Sequence, residues 1–225
     1  MQKEIKKCPA LKGTKKQRAK LFSEFLKKLY PNALCALDYQ GDPYRLIVMA
    51  RLSAQCTDKR VNEVSKPLFE RYPTVYDLAS AEQSEVESII RPCGLFRTKA
   101  ESIIRMSQQI ASEHSGNVPQ TYDELIKLSG VGMKIANLML GDVFGQPKIV
   151  PDTHCIRISY KTGIVSRPDP VVCERELSAL VPQQEQSDFC HRIVLFGREW
   201  CKAPNPHCEA CPLNTADKEM ALVKK

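Results

Sequence analysis

The chain has 225 residues, 43% of them hydrophobic and 26% charged, a balance that suits one large domain or two smaller ones and excludes wholesale disorder. Lys and Arg number 33 against 26 Asp and Glu, so the formal charge of +7 favours an anionic partner without demanding one. No apolar run reaches signal-peptide or membrane-span length; a cytoplasmic protein is expected, whose ten cysteines are thiols or metal ligands rather than disulfides.

The basic residues crowd the start, from Lys3 to Lys20, and read as a solvated approach to a helix. Ala19, Phe22, Leu26 and Leu29 then share one face of an opening helix that stops at Pro31. A second helix is predicted over Pro43 to Ala54, and Thr57 caps a third with Val61, Val64 and Leu68 turned inward. The spacings Ser80–Gln83, Thr98–Glu101 and Thr121–Glu124 predict capping boxes, and Gly116 is the expected stop of the helix carrying Ile103, Ile104 and Ala111. Residues from Gly163 to Pro170 read as a loop, and Cys155 and Cys190, beside Ile156 and Phe189, as small buried hydrophobes. No stretch alternates well enough to be a strand, so the predicted fold is all-α.

The segment Leu128-Ser129-Gly130-Val131-Gly132-Met133-Lys134-Ile135-Ala136-Asn137 carries more information. A short helix from Thr121 runs into Gly130-Val131-Gly132, and a second helix follows with Ala136, Leu140 and Phe144 on one face. Two glycines permit a tight turn with positive φ, and they leave the N–H groups of the following helix uncovered, a natural phosphate site. A plain helical hairpin with Val131 plugging the core explains the bare motif equally well. Near the other end, Cys201, Cys208 and Cys211 fall within eleven residues in the order Cys-x6-Cys-x2-Cys, a strong metal signal.

The hairpin, Val150-Pro151-Asp152-Thr153-His154, Leu52-Ser53-Ala54-Gln55-Cys56-Thr57-Asp58, Gly94-Leu95-Phe96-Arg97-Thr98-Lys99-Ala100, His191, Phe196-Gly197-Arg198 and the cysteine cluster occur in order over residues 20 to 217. In these motifs the chain resembles the endonuclease III family of helix-hairpin-helix DNA glycosylases. The resemblance implies two helical lobes flanking a DNA cleft: residues 1–35 with 147–225 forming one, and 36–146 a six-helix barrel containing the hairpin. It implies a monomeric, nucleoid-associated bacterial or archaeal enzyme acting on double-stranded DNA with damaged bases or abasic sites. The implied reaction removes oxidised or ring-saturated pyrimidines and cuts the strand by β-elimination.

By the same resemblance Lys134 matches the family's nucleophilic lysine and Asp152 its catalytic aspartate, a charge stabiliser and proton acceptor. As residues alone, Lys134 suits a surface lysine in a first helical turn, and Asp152 suits an N-cap. Gln55 matches the residue that fills the gap left by an extruded base, and Leu95 the apolar wedge. Gly130, Val131 and Gly132 form the phosphate-binding hairpin, Lys99 and Arg97 are expected near phosphate, Asp58 supports the site, and His154 is structural. The resemblance further implies a [4Fe–4S] cluster on Cys201, Cys208 and Cys211, but the family's fourth cysteine is replaced by Asp217. Oxygen ligation by Asp217, zinc held with His207 or Asp217, and a metal-free loop packed around Trp200 and Pro212 all remain open. An adenine-removing mismatch glycosylase and a non-catalytic DNA-binding hairpin protein are the alternative functions. Pro151 and Phe196 depart from the family's pattern.

Overall fold

Helices fill the computed structural model, which describes Cys8 and residues 11–214, and no strand occurs among them. In chain order they are α1 (Lys15–Leu29), α2 (Pro43–Leu52), α3 (Asp58–Arg71), α4 (Val75–Ala79), α5 (Gln83–Ile90), α6 (Phe96–Glu113), α7 (Tyr122–Leu125), α8 (Met133–Asp142), α9 (Thr153–Lys161), α10 (Pro170–Leu180) and α11 (Gln186–Glu199). Short 3-10 turns stand at Arg91–Cys93 and Gln183–Glu185. The chain divides into two compact units, Met1–Leu34 with Pro147–Lys225, and Cys35–Gln146.

In the first unit, α1 begins with a capping box between Thr14 and Gln17 and buries Ala19, Phe22, Phe25 and Leu26. Phe22 meets Phe189 and Phe196 edge-on, with ring centroids 6.1 and 5.7 Å apart, and Phe25 meets Phe196 at 5.8 Å. Phe196 is thereby accounted for: it is 2% exposed and part of an aromatic core. Polar bonds fix the same helices at their edges, with Lys27 on Glu185 at 2.8 Å and Arg192 Nε donating to the Tyr30 carbonyl at 3.3 Å. Cys155 and Cys190 are buried, as their neighbours suggested.

In the second unit, α2 is apolar nearly all round and buries Leu46, Ile47, Val48, Met49, Ala50 and Leu52, so it lies inside its neighbours. Asp42 caps it, with Pro43 in the first turn where a missing N–H costs nothing. The helix ends at Leu52 rather than Ala54, because the Ser53 hydroxyl turns back to the Ala50 carbonyl and Gln55 adopts a left-handed conformation. Two expected capping boxes are corrected. Ser80 closes α4 instead of opening α5, its N–H and hydroxyl both bonded to the Tyr76 carbonyl, while Thr74 and Asp77 form the box. Thr98 lies inside α6, its hydroxyl donating to the Leu95 carbonyl. Thr121 does cap α7, accepting from the Glu124 N–H, but the Glu124 carboxylate accepts from the Thr121 hydroxyl rather than its backbone N–H, so only half of that box forms. Gly116, at φ +81°, donates to the Ile110 carbonyl and ends the α6 turn.

Candidate active site and cysteine loop

The hairpin between α7 and α8 uses its two glycines differently. Gly130 sits at φ +76°, and a Cβ there would run into the Arg51 side chain, whose Nε donates to the Ser102 hydroxyl at 2.8 Å. Gly132 has φ −110°, so the positive φ that the turn requires falls on Gly130. Gly132 is the N-cap of α8, no side chain caps the turn, and a Cβ there would meet only open space. Val131 between them is 7% exposed and plugs the core, so the turn is anchored while its outer edge stays bare. Open N–H groups at the positive end of a ten-residue helix suit an anion. Lys134, second in that helix, is exposed.

Asp152, in the first unit, is half-buried and caps α9, one carboxylate oxygen accepting from the Cys155 N–H at 2.6 Å. The bond fixes its rotamer. His154 lies tight against Gly197 of α11 and its Nδ1 pairs with Arg157 at 3.2 Å, the structural part expected of it.

Gln55 and Leu95 are both exposed, Leu95 at 56%, and both hold positive φ, +53° and +48°. Left-handed conformations are costly for residues with a side chain and persist only where the surroundings impose them. Leu95 projects from a turn made by Arg91–Cys93 and Gly94, immediately before α6. Arg97 is exposed beside the Phe96 ring, and Asp58 is half-buried behind the α3 cap Thr57. The phosphate role expected of Lys99 is corrected. Lys99 is 0% exposed and its Nζ donates to the Cys93 carbonyl at 2.9 Å, so its ammonium braces the Leu95 turn from inside. Burial pushes its pKa below the usual lysine value.

The cysteine loop follows α11. The Cys201 N–H bonds to the Phe196 carbonyl at 3.0 Å, His207 returns to Trp200 at 2.8 Å, and the Cys211 N–H reaches Cys208 at 3.3 Å. Cys201 and Cys211 are half-buried and Cys208 is exposed. Burial, followed by the negative fields of Cys8, Cys201 and Cys208, pushes the Cys211 thiol up to about 11. Among the described residues, no three Cys, His, Asp or Glu side chains close on a point suited to a single metal ion. Asp217 lies outside the described residues.

Residues 48–183 match the family model described as the HhH-GPD superfamily of base excision DNA repair proteins. The chain belongs to that superfamily. It is 44% identical to the endonuclease III of Synechocystis sp. over 202 residues, covering 89% of this chain and 92% of that one. With the endonuclease III of Bacillus subtilis it shares 41% identity over 192 residues, 85% and 87% of the two chains. A solved structure titled as a trapped endonuclease III–DNA covalent intermediate with an estranged adenine superposes with TM-score 0.84 at 38% identity, covering 91% of this chain and 98% of that one. This HhH-GPD protein is thus an enzyme of base excision repair, of the DNA glycosylase type.

Sequence reasoning missed the brace that buried Lys99 supplies to the Leu95 turn. The apolar setting of Lys99 was visible only in the i−4 and i+4 neighbours Leu95 and Ile103, a weak signal beside a basic side chain.

Proposed function

We propose that the enzyme removes oxidised or ring-saturated pyrimidines from double-stranded DNA and then cleaves the strand as a lyase, with Lys134 as nucleophile. The observation that carries this reading is the exposed lysine in the first turn of the helix that opens from Gly130-Val131-Gly132. A trapped covalent intermediate is also known for a protein 38% identical to this one. The neutral Lys134 amine attacks C1′ of the damaged nucleotide, and the base departs with the electron pair of the glycosidic bond, taking up a proton. Loss of a proton from nitrogen and of the sugar ring oxygen leaves an iminium between Nζ and C1′. That iminium acidifies the C2′ proton, whose removal expels the 3′ phosphate. Water then hydrolyses the iminium and frees the lysine. Asp152, held by its cap bond, stabilises positive charge developing on the sugar and accepts a proton. Gln55 takes the space vacated by the extruded base, Leu95 props the adjacent step, and the bare edge at Gly132 holds a backbone phosphate.

The cysteine loop fits an iron–sulfur group by its donor chemistry, because half-buried and exposed thiols gather in one short loop. Around one zinc ion with bonds of about 2.3 Å, four sulfurs stand roughly 3.8 Å apart, and the described thiols do not close on such a point. Cys201, Cys208 and Cys211 would hold a [4Fe–4S] cluster. When bound, the cluster supplies a rigid cross-link that orders the loop bearing Lys202.

The test is borohydride trapping on a duplex containing thymine glycol, with Lys134→Ala alongside. A covalent adduct that the variant loses supports both lyase chemistry and nucleophile. No adduct from folded wild type, with release of adenine from a mismatch instead, would favour the adenine-removing branch.

A further inference from the structure

We infer that Cys190 is a positioning residue for Asp152: its sulfur anchors the short turn that delivers the carboxylate to the reaction. The inference rests on the proposed role of Asp152 at the damaged sugar. Its ground is a set of bonds within the first unit. The Asp152 N–H returns to the Val150 carbonyl at 2.8 Å, closing a three-residue turn with Pro151 at its centre. Proline suits that place, because its ring fixes φ near the value such a turn requires and the turn asks no N–H of it. Val150 therefore carries the one remaining backbone donor of the turn, and at 6% exposure it is shut away from water. That N–H donates to Cys190 Sγ at 3.2 Å. The other end of the turn is tied by the Cys155 N–H, which donates to the Asp152 carboxylate at 2.6 Å.

Cys190 is 4% exposed on α11, so the helix and its packing fix the sulfur. Without that acceptor the buried Val150 N–H would be orphaned, a costly state that the turn escapes only by moving. The proline ring and the turn bond leave few soft dihedrals between Val150 and Asp152, so a shift at one passes to the other. A carboxylate stabilises charge on the sugar only where it is held, and a displacement of about 1 Å can cost about a hundredfold in rate. The surroundings of the sulfur are neutral. Cys155 and Cys173 are fully buried with their sulfurs 3.9 Å apart. Cys173, then Cys190, then burial raise the Cys155 thiol well above its ordinary value, so it adds no negative charge to the first turn of α9. Cys173, on α10, meets this group through Cys155 rather than through the turn. The arrangement also gives Pro151, a buried departure from the family's pattern, a part in the site.

The test is single-turnover base release by the full chain from a duplex containing thymine glycol, with affinity for that duplex and thermal unfolding measured beside it. Cys190→Ala should release base about tenfold more slowly while its affinity stays within about twofold of wild type. Cys190→Ser keeps an acceptor on α11 and should recover most of the lost rate. Cys173→Ala, the same truncation in the same core, should melt about 2–4 °C early yet release base at the wild-type rate. In the Asp152→Asn protein, adding Cys190→Ala should slow release no further, because the group it places is already lost. Equal slowing in Cys190→Ala and Cys173→Ala would overturn the inference, as would no recovery in Cys190→Ser or a full further loss in the Asp152→Asn background. Should Cys190→Ala fail to fold, the wild-type chain supplies a second reading: its Val150 amide should exchange hydrogen at least about a hundredfold more slowly than an open amide. Unprotected exchange there would overturn the inference as well. Wild-type base release by Asp152→Asn is a distinct result, which would sink the proposed role of Asp152 and the inference with it.

Discussion

Cys56 and Cys93 lie near enough for the charge of one thiol to act on the other, which brings together the two loops from which Gln55 and Leu95 project. Cys56 directly follows Gln55, and Cys93 precedes Leu95 by two positions. The buried Lys99 ammonium holds the Cys93 carbonyl from below. Lys99→Met keeps the length of the side chain and leaves that carbonyl without its charged donor. Urea unfolding should show a loss of about 1–3 kcal/mol, the cost of an unsatisfied buried acceptor. The salt dependence of DNA binding should keep its slope. A slope shallower by about one would return Lys99 to a phosphate.

The same brace explains why two exposed residues hold left-handed conformations. Gln55→Gly and Leu95→Gly should relieve backbone strain, leaving stability unchanged or raised by up to about 1 kcal/mol. Both should lower single-turnover excision on lesion DNA, because the side chains proposed to fill and wedge the opened duplex are gone. Calorimetry beside the excision rate separates the effects. Lower stability together with lower activity would make these side chains parts of the fold.

At the hairpin, Gly130→Ala places a Cβ at φ +76° against Arg51 and should cost at least about 1–2 kcal/mol. Gly132→Ala has ordinary φ and open space, so its melting temperature should stay within a degree or two of wild type. Its affinity for DNA should nevertheless fall by about tenfold or less, near 1 kcal/mol, if phosphate approaches that edge. Unchanged binding in Gly132→Ala would leave the second glycine without a role at the proposed phosphate site.

Periodicity made the helices legible, because α1, α3 and α6 each carry a clear buried face, and Thr14-type and Thr121-type caps are local chemistry. It failed where a cap spacing had two solutions. Ser80 and Thr98 satisfy their hydroxyls on carbonyls behind them, and nothing in a four-residue window distinguishes that from capping forward. The basic stretch Arg97 to Lys99 misled for a different reason. A helix turns by about 100° per residue, so Arg97 stays exposed while Lys99 points into the core.

Buried thiols give the stability a defined alkaline limit. Burial pushes Cys35 and Cys93 from an ordinary thiol value of 9.0 up to about 12, with the fields of Asp142 and Asp58 adding at Cys35 and that of Cys56 at Cys93. Below pH 9 these groups are neutral folded or unfolded, and their contribution is complete. As pH rises from 9.0 toward 12, the unfolded chain gives up protons that the folded chain retains, so stability falls across that window. Lys99, shifted downward, acts with the opposite sign. The urea midpoint should therefore drop above pH 9, and Cys35→Ala combined with Cys93→Ala should flatten the drop. An equal drop in the double variant would assign it to other groups, such as the buried Tyr44, whose pKa is also raised.

Asp152 joins two roles in one carboxylate, and they can be separated. As N-cap of α9 it accepts from the Cys155 N–H at 2.6 Å. An asparagine oxygen makes the same bond, and asparagine is as good an N-cap as aspartate, so Asp152→Asn should alter stability by only about 0.5 kcal/mol or less. Asp152→Ala removes the cap and should cost about 1 kcal/mol. Catalysis should follow charge instead. The neutral amide stabilises a cationic sugar poorly and accepts no proton, so both variants should lose about a hundredfold or more in single-turnover base release. Trapping at a preformed abasic site should suffer less, because the base has already gone. Equal losses in stability and activity across both variants would show that Asp152 matters through its cap alone; activity lost in the well-folded Asp152→Asn protein would assign its carboxylate to the chemistry.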